Sequence, residues 1–151
     1  MKCLKSNLLY TPKERFVFKP SDRVFNTGIF LNTNTLYYIE TEGWWVDWFI
    51  PTNPAGWIVP DFITKPFISM YEEIFSRRRI NPRARVGSLL YKLRDADING
   101  YLGHENYIFV PSDENISWEL SLYVNDYSSK WNYKNNFGKL EVILSEVSYN
   151  E

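Results

Sequence analysis

Cysteine is almost absent: Cys3 is the one thiol in 151 residues, so no internal disulfide can form and redox chemistry says nothing about compartment. Histidine is as scarce, with His104 alone, so no histidine cluster can gather a transition metal. That histidine reads as a surface or structural residue. No serine or cysteine nucleophile falls into a motif with it, and the few glycines form no phosphate-cradling loop. The acid pairs Glu72-Glu73 and Asp95-Asp97 read as helix-surface and turn residues, so the expectation is a protein without catalysis. No uninterrupted apolar run reaches the length of a membrane span. The amino terminus lacks the basic, apolar and small-residue succession of a secretory signal, which predicts a cytoplasmic protein or release by another route. Seventeen basic and 18 acidic side chains leave a net charge of −1, removing the global positive field that a nucleic-acid partner would require.

What the chain has in excess is aromatic surface, with 6 Trp, 11 Tyr and 10 Phe making 18% of the residues. Flat rings pack well on pleated faces, and they also stack on the C–H face of a sugar. The length suits one domain spanning residues 1–151 with a sizeable core. Residues 1–15 read as an arm or an edge strand. Alternating runs at Arg15–Lys19, Gly28–Leu31, Thr35–Glu40, Val86–Leu93 and Tyr107–Val110 read as strands, with an Asn-Thr-Asn turn before the third. Residues 46–66 hold four prolines and Gly56, which predicts a long structured loop without regular elements. Apolar residues at Phe67, Met70, Tyr71, Ile74 and Phe75 share one helical face, so a short helix is predicted near residues 67–77. Arg77, Arg78 and Arg79 would offset its dipole at the carboxyl end. Many short strands separated by turn signals predict an all-β protein, an antiparallel β-sandwich of jelly-roll type with one short inserted helix.

The densest chemistry lies between Leu120-Leu122-Val124 and Leu140-Val142, two further alternating runs. The connection carries Asn125, Asp126, Asn132, Asn135, Asn136 and Gly138. Hard cations such as Ca²⁺ take six to eight oxygens from carboxylates, amides and backbone carbonyls at about 2.3–2.6 Å. A loop folded back between two strands can aim that many oxygens at one point. The same residue types also build an ordinary Asn-rich hairpin, and local composition alone leaves both readings open.

Four pieces follow in order: NTGIFL leading to the strand YYIETEGWW; the Pro/Gly loop; RVGSLLYKL; and YLGHENYIFVPS running into ELSLYVND with NNFGKLEVIL. Over residues 24–145 the chain resembles the LecA-type (PA-IL) bacterial galactose-binding lectins and their jelly-roll relatives. Those proteins share a strand ending in Ala-x-Gly-Trp, a Gly-Ala-Leu-x-x-Lys-Ile strand, a Leu-Tyr-x-Asn-Asp strand, and Asn-Asn-x-Gly before the last strand. The resemblance implies a calcium-dependent carbohydrate-binding module in which a sugar diol ligates the loop-bound ion. It implies that Asp126 binds the ion and accepts a hydrogen bond from the sugar, with Asn135 and Asn136 as consecutive amide ligands. It further implies backbone carbonyls from Asn132 and from Asp47, which falls where the family has a tyrosine. Asp126, Asn135 and Asp47 would then also face the sugar.

The chain departs from the family in three places. The stretch from Asp126 to Asn135 is longer, the long loop DWFIPTNPAGWIVP has neither the His nor the Gln that clamps a sugar hydroxyl, and the Arg-rich insert precedes RVGSLL. A galactose-like ligand is therefore the expected class and its identity stays open. Trp48, Trp57 and Trp131 supply stacking surface or pack in the core, and Trp44 is expected in the core. The alternative function is a non-catalytic interaction or assembly domain that keeps the fold and has lost metal and sugar binding. It draws on the single acid, Asp126, within the Asn-rich loop, because Ca²⁺ affinity rises with ligand charge. The aromatic excess and an exposed edge strand also predict a homo-oligomer.

Overall fold

The structure is a computed structural model that describes residues 7–47, 50–58, 66, 70, 80–81, 83–94, 96–126 and 132–149. Among the described residues ten strands follow one another: β1 (Leu8–Phe18), β2 (Phe25–Asn32), β3 (Leu36–Asp47), β4 (Ile50–Asn53), β5 (Gly56–Trp57), β6 (Leu89–Leu93), β7 (Ile98–Tyr101), β8 (Glu105–Phe109), β9 (Ser117–Val124) and β10 (Asn136–Tyr149). Every pairing is antiparallel. One sheet has the order β1-β10-β3-β4-β5, with β8 also paired to β3; the other has the order β2-β9-β6-β7. The two sheets enclose one core, to which the first contributes Phe18, Ile39, Trp45, Leu140, Val142 and Leu144, and the second Leu31, Leu89, Leu93, Leu120, Leu122 and Val124. The protein is a β-sandwich, as expected from the strand and turn pattern.

Local chemistry explains the elements. Inward residues of β3 alternate, with Tyr37, Ile39, Thr41, Trp45 and Asp47 all buried, the period of two that a half-buried strand requires. The turn before it contains Asn34 at φ 59°, a left-handed conformation that asparagine tolerates better than most residues. Its side chain accepts from Ser112 N and donates to Ser112 O, tying that turn to the segment between β8 and β9. In β1, Pro12 sits beside a register irregularity between Pro12 and Glu14. Proline lacks a ladder donor and is confined to edges and bulges, and β1 is the edge of its sheet.

Several expectations change. Residues 46–66 are not wholly irregular: β4 and β5 form a small hairpin on β3. Pro51 is accommodated within this short strand, and Asn53 Oδ1 accepts from Ala55 N at 2.9 Å to close the turn. Gly56 adopts φ +117°, and a Cβ there would lie 2.9 Å from Val86 O, so glycine permits the hairpin to approach the following segment. Trp44 is not in the core; it is 62% exposed while Trp45 is fully buried. Both follow Gly43, and the strand's alternation turns the second indole inward. The helix expected near residues 67–77 lies almost wholly outside the described residues; Pro66 and Met70 are helical, and Met70 is exposed. No helix among the described residues is long and apolar enough to cross a membrane.

Candidate functional site: a polar corner at the end of the sandwich

Three chain segments meet at one end of the sandwich. Asp47 and Asn136 are direct partners at the last position of β3 and the first of β10. A 3₁₀ turn, Asn132–Asn135, runs directly into β10. Tyr133, buried within that turn, donates its hydroxyl to Val124 O at 3.2 Å, which fastens the turn to the end of β9, where Asn125 and Asp126 follow. The Asp126 carboxylate is close enough to Tyr133 to add to the upward shift of its phenol, whose first cause is burial. The sequence-derived candidates Asp126, Asn135, Asn136 and Asp47 thus occupy a common corner, with the backbone of Asn132 in the same turn.

Burial gives this corner its character. Asp126 is 3% exposed, Asn136 3% and Asp47 4%. The Asn136 amide nitrogen donates to Pro20 O at 3.2 Å, which fixes the orientation of the group and turns Oδ1 the other way. Among the described residues, neither Asn136 Oδ1 nor Asn135 Oδ1 accepts a hydrogen bond, although both are buried. Leaving a buried acceptor unsatisfied costs about 1–3 kcal/mol, so two consecutive ones mark a place where the fold tolerates a cost that a cation would offset. Their neutral oxygens, a buried carboxylate and nearby main-chain carbonyls form the donor set that a hard cation takes. Among the described residues no three His, Cys, Asp or Glu side chains gather, so neutral oxygens would supply most of such a shell.

Asp47 has a second engagement. Its Oδ2 accepts from Trp57 Nε1 at 2.7 Å. Burial pushes its carboxyl above the ordinary value, and the indole hydrogen bond pulls it part of the way back. This bond holds half-buried Trp57 at the rim of the corner, and Gly87 makes room for it, because a Cβ there would lie 2.9 Å from Trp57 Cδ1. Of the three tryptophans named for stacking, Trp57 therefore stands beside the candidate ligands. Trp48 and Trp131 lie outside the described residues, as does the side chain of Asn132.

The sequence reading passed over Asn125 as a site residue. It is completely buried, accepts from Asn81 N and donates to the carbonyls of Asn81, Ala84 and Arg85. Its backbone also bonds Ser88 O and Gly87 N. Asn125 therefore clamps the segment leading into β6 against the same corner. Tyr133 was missed as well, for a tyrosine in an Asn-rich loop carries no pattern that distinguishes an inward anchor from a surface ring.

No protein-family model and no curated protein sequence matches the chain. Among solved structures, the N-terminal domain of EclA, described as a PllA-like lectin, superposes with a TM-score of 0.61 at 22% identity, covering 94% of this chain and 99% of that one. The chain has the fold of a PllA-like lectin domain. That agrees with the LecA-type resemblance carried by the sequence segments, over nearly the whole chain.

Proposed function

We propose that this protein is a carbohydrate-binding module whose ligand site is the polar corner at the ends of β3, β9 and β10, assembled around a bound Ca²⁺. The observation that carries the reading is the pair of buried amide oxygens on Asn135 and Asn136 that accept no hydrogen bond among the described residues, on a fold shared with a lectin domain. Asp126 would supply the anionic ligand, Asn135 and Asn136 their side-chain oxygens, and Asn132 and Asp47 main-chain carbonyls. When bound, the ion supplies positive charge that attracts two adjacent sugar hydroxyls.

The chain's own groups then do the selecting. Asp126 accepts a hydrogen bond from a sugar hydroxyl, and burial strengthens it because competing water is excluded. Trp57, pinned through Nε1 by Asp47, presents its ring as a stacking surface with little rotamer freedom left to lose. Affinity for a monosaccharide is expected to be weak, since the β3–β6 connection has no His or Gln to clamp a hydroxyl. A galactose-like sugar with a suitable diol is the first candidate. No catalytic role is assigned to any of these groups.

A glycan array probed in Ca²⁺ and in EDTA, followed by calorimetry on any hit, tests the reading. Calcium-dependent binding of diol-bearing sugars is expected. Absence of any calcium-dependent hit at millimolar monosaccharide would favour the interaction-domain alternative instead. That alternative has its own observation, the outward Trp44 and Phe137, 62% and 67% exposed.

A further inference from the structure

A second cluster lies on the outer face of the larger sheet, on the opposite side of β3 from the core. Tyr38 stands between two other tyrosines: its ring is 5.2 Å from Tyr10 at 70° and 5.0 Å from Tyr107 at 45°. Its hydroxyl donates to Glu105 Oε2 at 2.5 Å, and the hydroxyls of Tyr10 and Tyr107 share a hydrogen bond of 2.5 Å. These three rings, with Glu40, Glu105 and Ser145, line an open cleft of about 310 Å³. Glu40 and Asp47 stand seven positions apart on β3, about 23 Å of strand, so this cleft is distinct from the corner described above.

The charges in it are unusual. Glu40 and Glu105 are direct cross-strand partners, and like charges placed opposite one another on a sheet destabilise it. Among the described residues, neither carboxylate pairs with a cation, whereas Arg15, Arg94 and Lys13 each hold a different glutamate. Two acids facing each other beside three tyrosine rings make a region of negative potential. The ring faces add to it, because the π-quadrupole is negative above the plane. Mutual tilts of 45° and 70° give a concave wall, unlike the single flat platform on which a sugar stacks. Hydrogen bonds between the side chains hold that wall in place before any ligand arrives.

We infer that the Tyr10–Tyr38–Tyr107 cleft with Glu40 and Glu105 binds an organic ammonium cation, an alkylamine head whose N–H groups face the carboxylates and whose methylenes lie against the rings. Attraction of a cation to ring faces within about 6 Å is well established as a recognition device, and here two carboxylates reinforce it. The cation would also remove the repulsion between the paired glutamates.

The test is an amide-resolved NMR titration of the full chain with n-butylammonium chloride and, separately, with acetyl-lysine methylamide, using 1-pentanol as the neutral isostere. Saturable shifts confined to the stretches of β1, β10, β3 and β8 that line the cleft are expected with n-butylammonium. Saturation by the lysine derivative as well would point to a protein side chain as the source, and saturation by the free amine alone to a small molecule. Glu40→Gln/Glu105→Gln should lower the affinity roughly ten-fold or more without lowering the melting temperature, since it removes a repulsion. Glu105→Gln alone keeps an acceptor for Tyr38 and should give an intermediate loss. Equal shifts with 1-pentanol, no saturable shift with either cation, or unchanged affinity in the double variant would overturn the assignment. Saturation of the same amides by a neutral monosaccharide in place of the cations would also overturn it.

Discussion

At the scale of single residues, adjacent tryptophans give the sharpest contrast. Trp45 is fully buried in the core, and Trp45→Ala should cost about 3–5 kcal/mol, as large core truncations do. Trp44→Ala, at a 62% exposed position, should stay within about 0.5 kcal/mol. Urea unfolding midpoints of the two variants check this, and a reversal of the order would contradict the assignment of inner and outer faces. Trp57 offers a finer prediction. Trp57→Phe keeps an aromatic ring but removes the donor to Asp47 Oδ2. A buried carboxylate would lose its indole partner, so the variant should be less stable by about 1–3 kcal/mol. Sugar affinity should fall with it, because the ring would no longer be held at the rim. Unchanged stability by urea titration would show that this hydrogen bond does not hold the two residues together.

At the scale of elements, β10 links core and site, since it begins at Asn136 and continues through Leu140, Val142 and Leu144. Gly138 permits this close to the corner. It has φ +142°, and a Cβ would lie 2.8 Å from Trp45 Cα, a backbone contact that cannot yield as a flexible side chain would. Gly138→Ala should therefore destabilise by about 1–3 kcal/mol, read from the urea midpoint, and a neutral effect would place the strain elsewhere. Much of this architecture was legible in the chain. The alternation of TLYYIE, the Asn34 turn and the apolar runs flanking the Asn-rich connection each report a local physical preference, and each appears where expected. What was not legible depended on tertiary context. Proline at 12 argues against a strand by local rules, yet the edge position of β1 and the irregularity beside Pro12 accommodate it, and Pro51 lies within the short β4. Trp45 is inward and Trp44 outward because the alternation of β3 runs unbroken from Tyr37 through Asp47, whereas the sequence expectation closes that strand at the Gly43-Trp44-Trp45 segment. The corner itself was half visible. Asp126, Asn135 and Asn136 stood out as oxygen donors, whereas Asn125 acts through backbone partners 40–44 residues away and Tyr133 through the carbonyl of Val124 at the end of β9.

At the scale of the whole molecule, the outer face of the larger sheet presents Val17, Trp44 and Phe137, 49%, 62% and 67% exposed. Apolar exposure gathered on one face marks an interaction surface, and we expect copies of this chain to associate through it. Several weak sugar sites on one particle would then act with avidity that no single site provides. Light scattering should show an oligomer that Trp44→Glu combined with Phe137→Glu converts to monomer; a wild-type monomer at high micromolar concentration would refute this. The central claim, that a cation completes the corner at the ends of β3, β9 and β10, is tested most directly by thermal melts in saturating Ca²⁺ and in EDTA. A ligand present at 100 times its dissociation constant stabilises by about 2.7 kcal/mol, or roughly 5–10 °C in a domain of this size. A calcium-dependent rise in melting temperature is predicted for the wild type, a smaller one for Asn136→Ala, and none for Asp126→Ala, which lacks the anionic ligand. Identical wild-type melting temperatures in Ca²⁺ and EDTA would contradict the account.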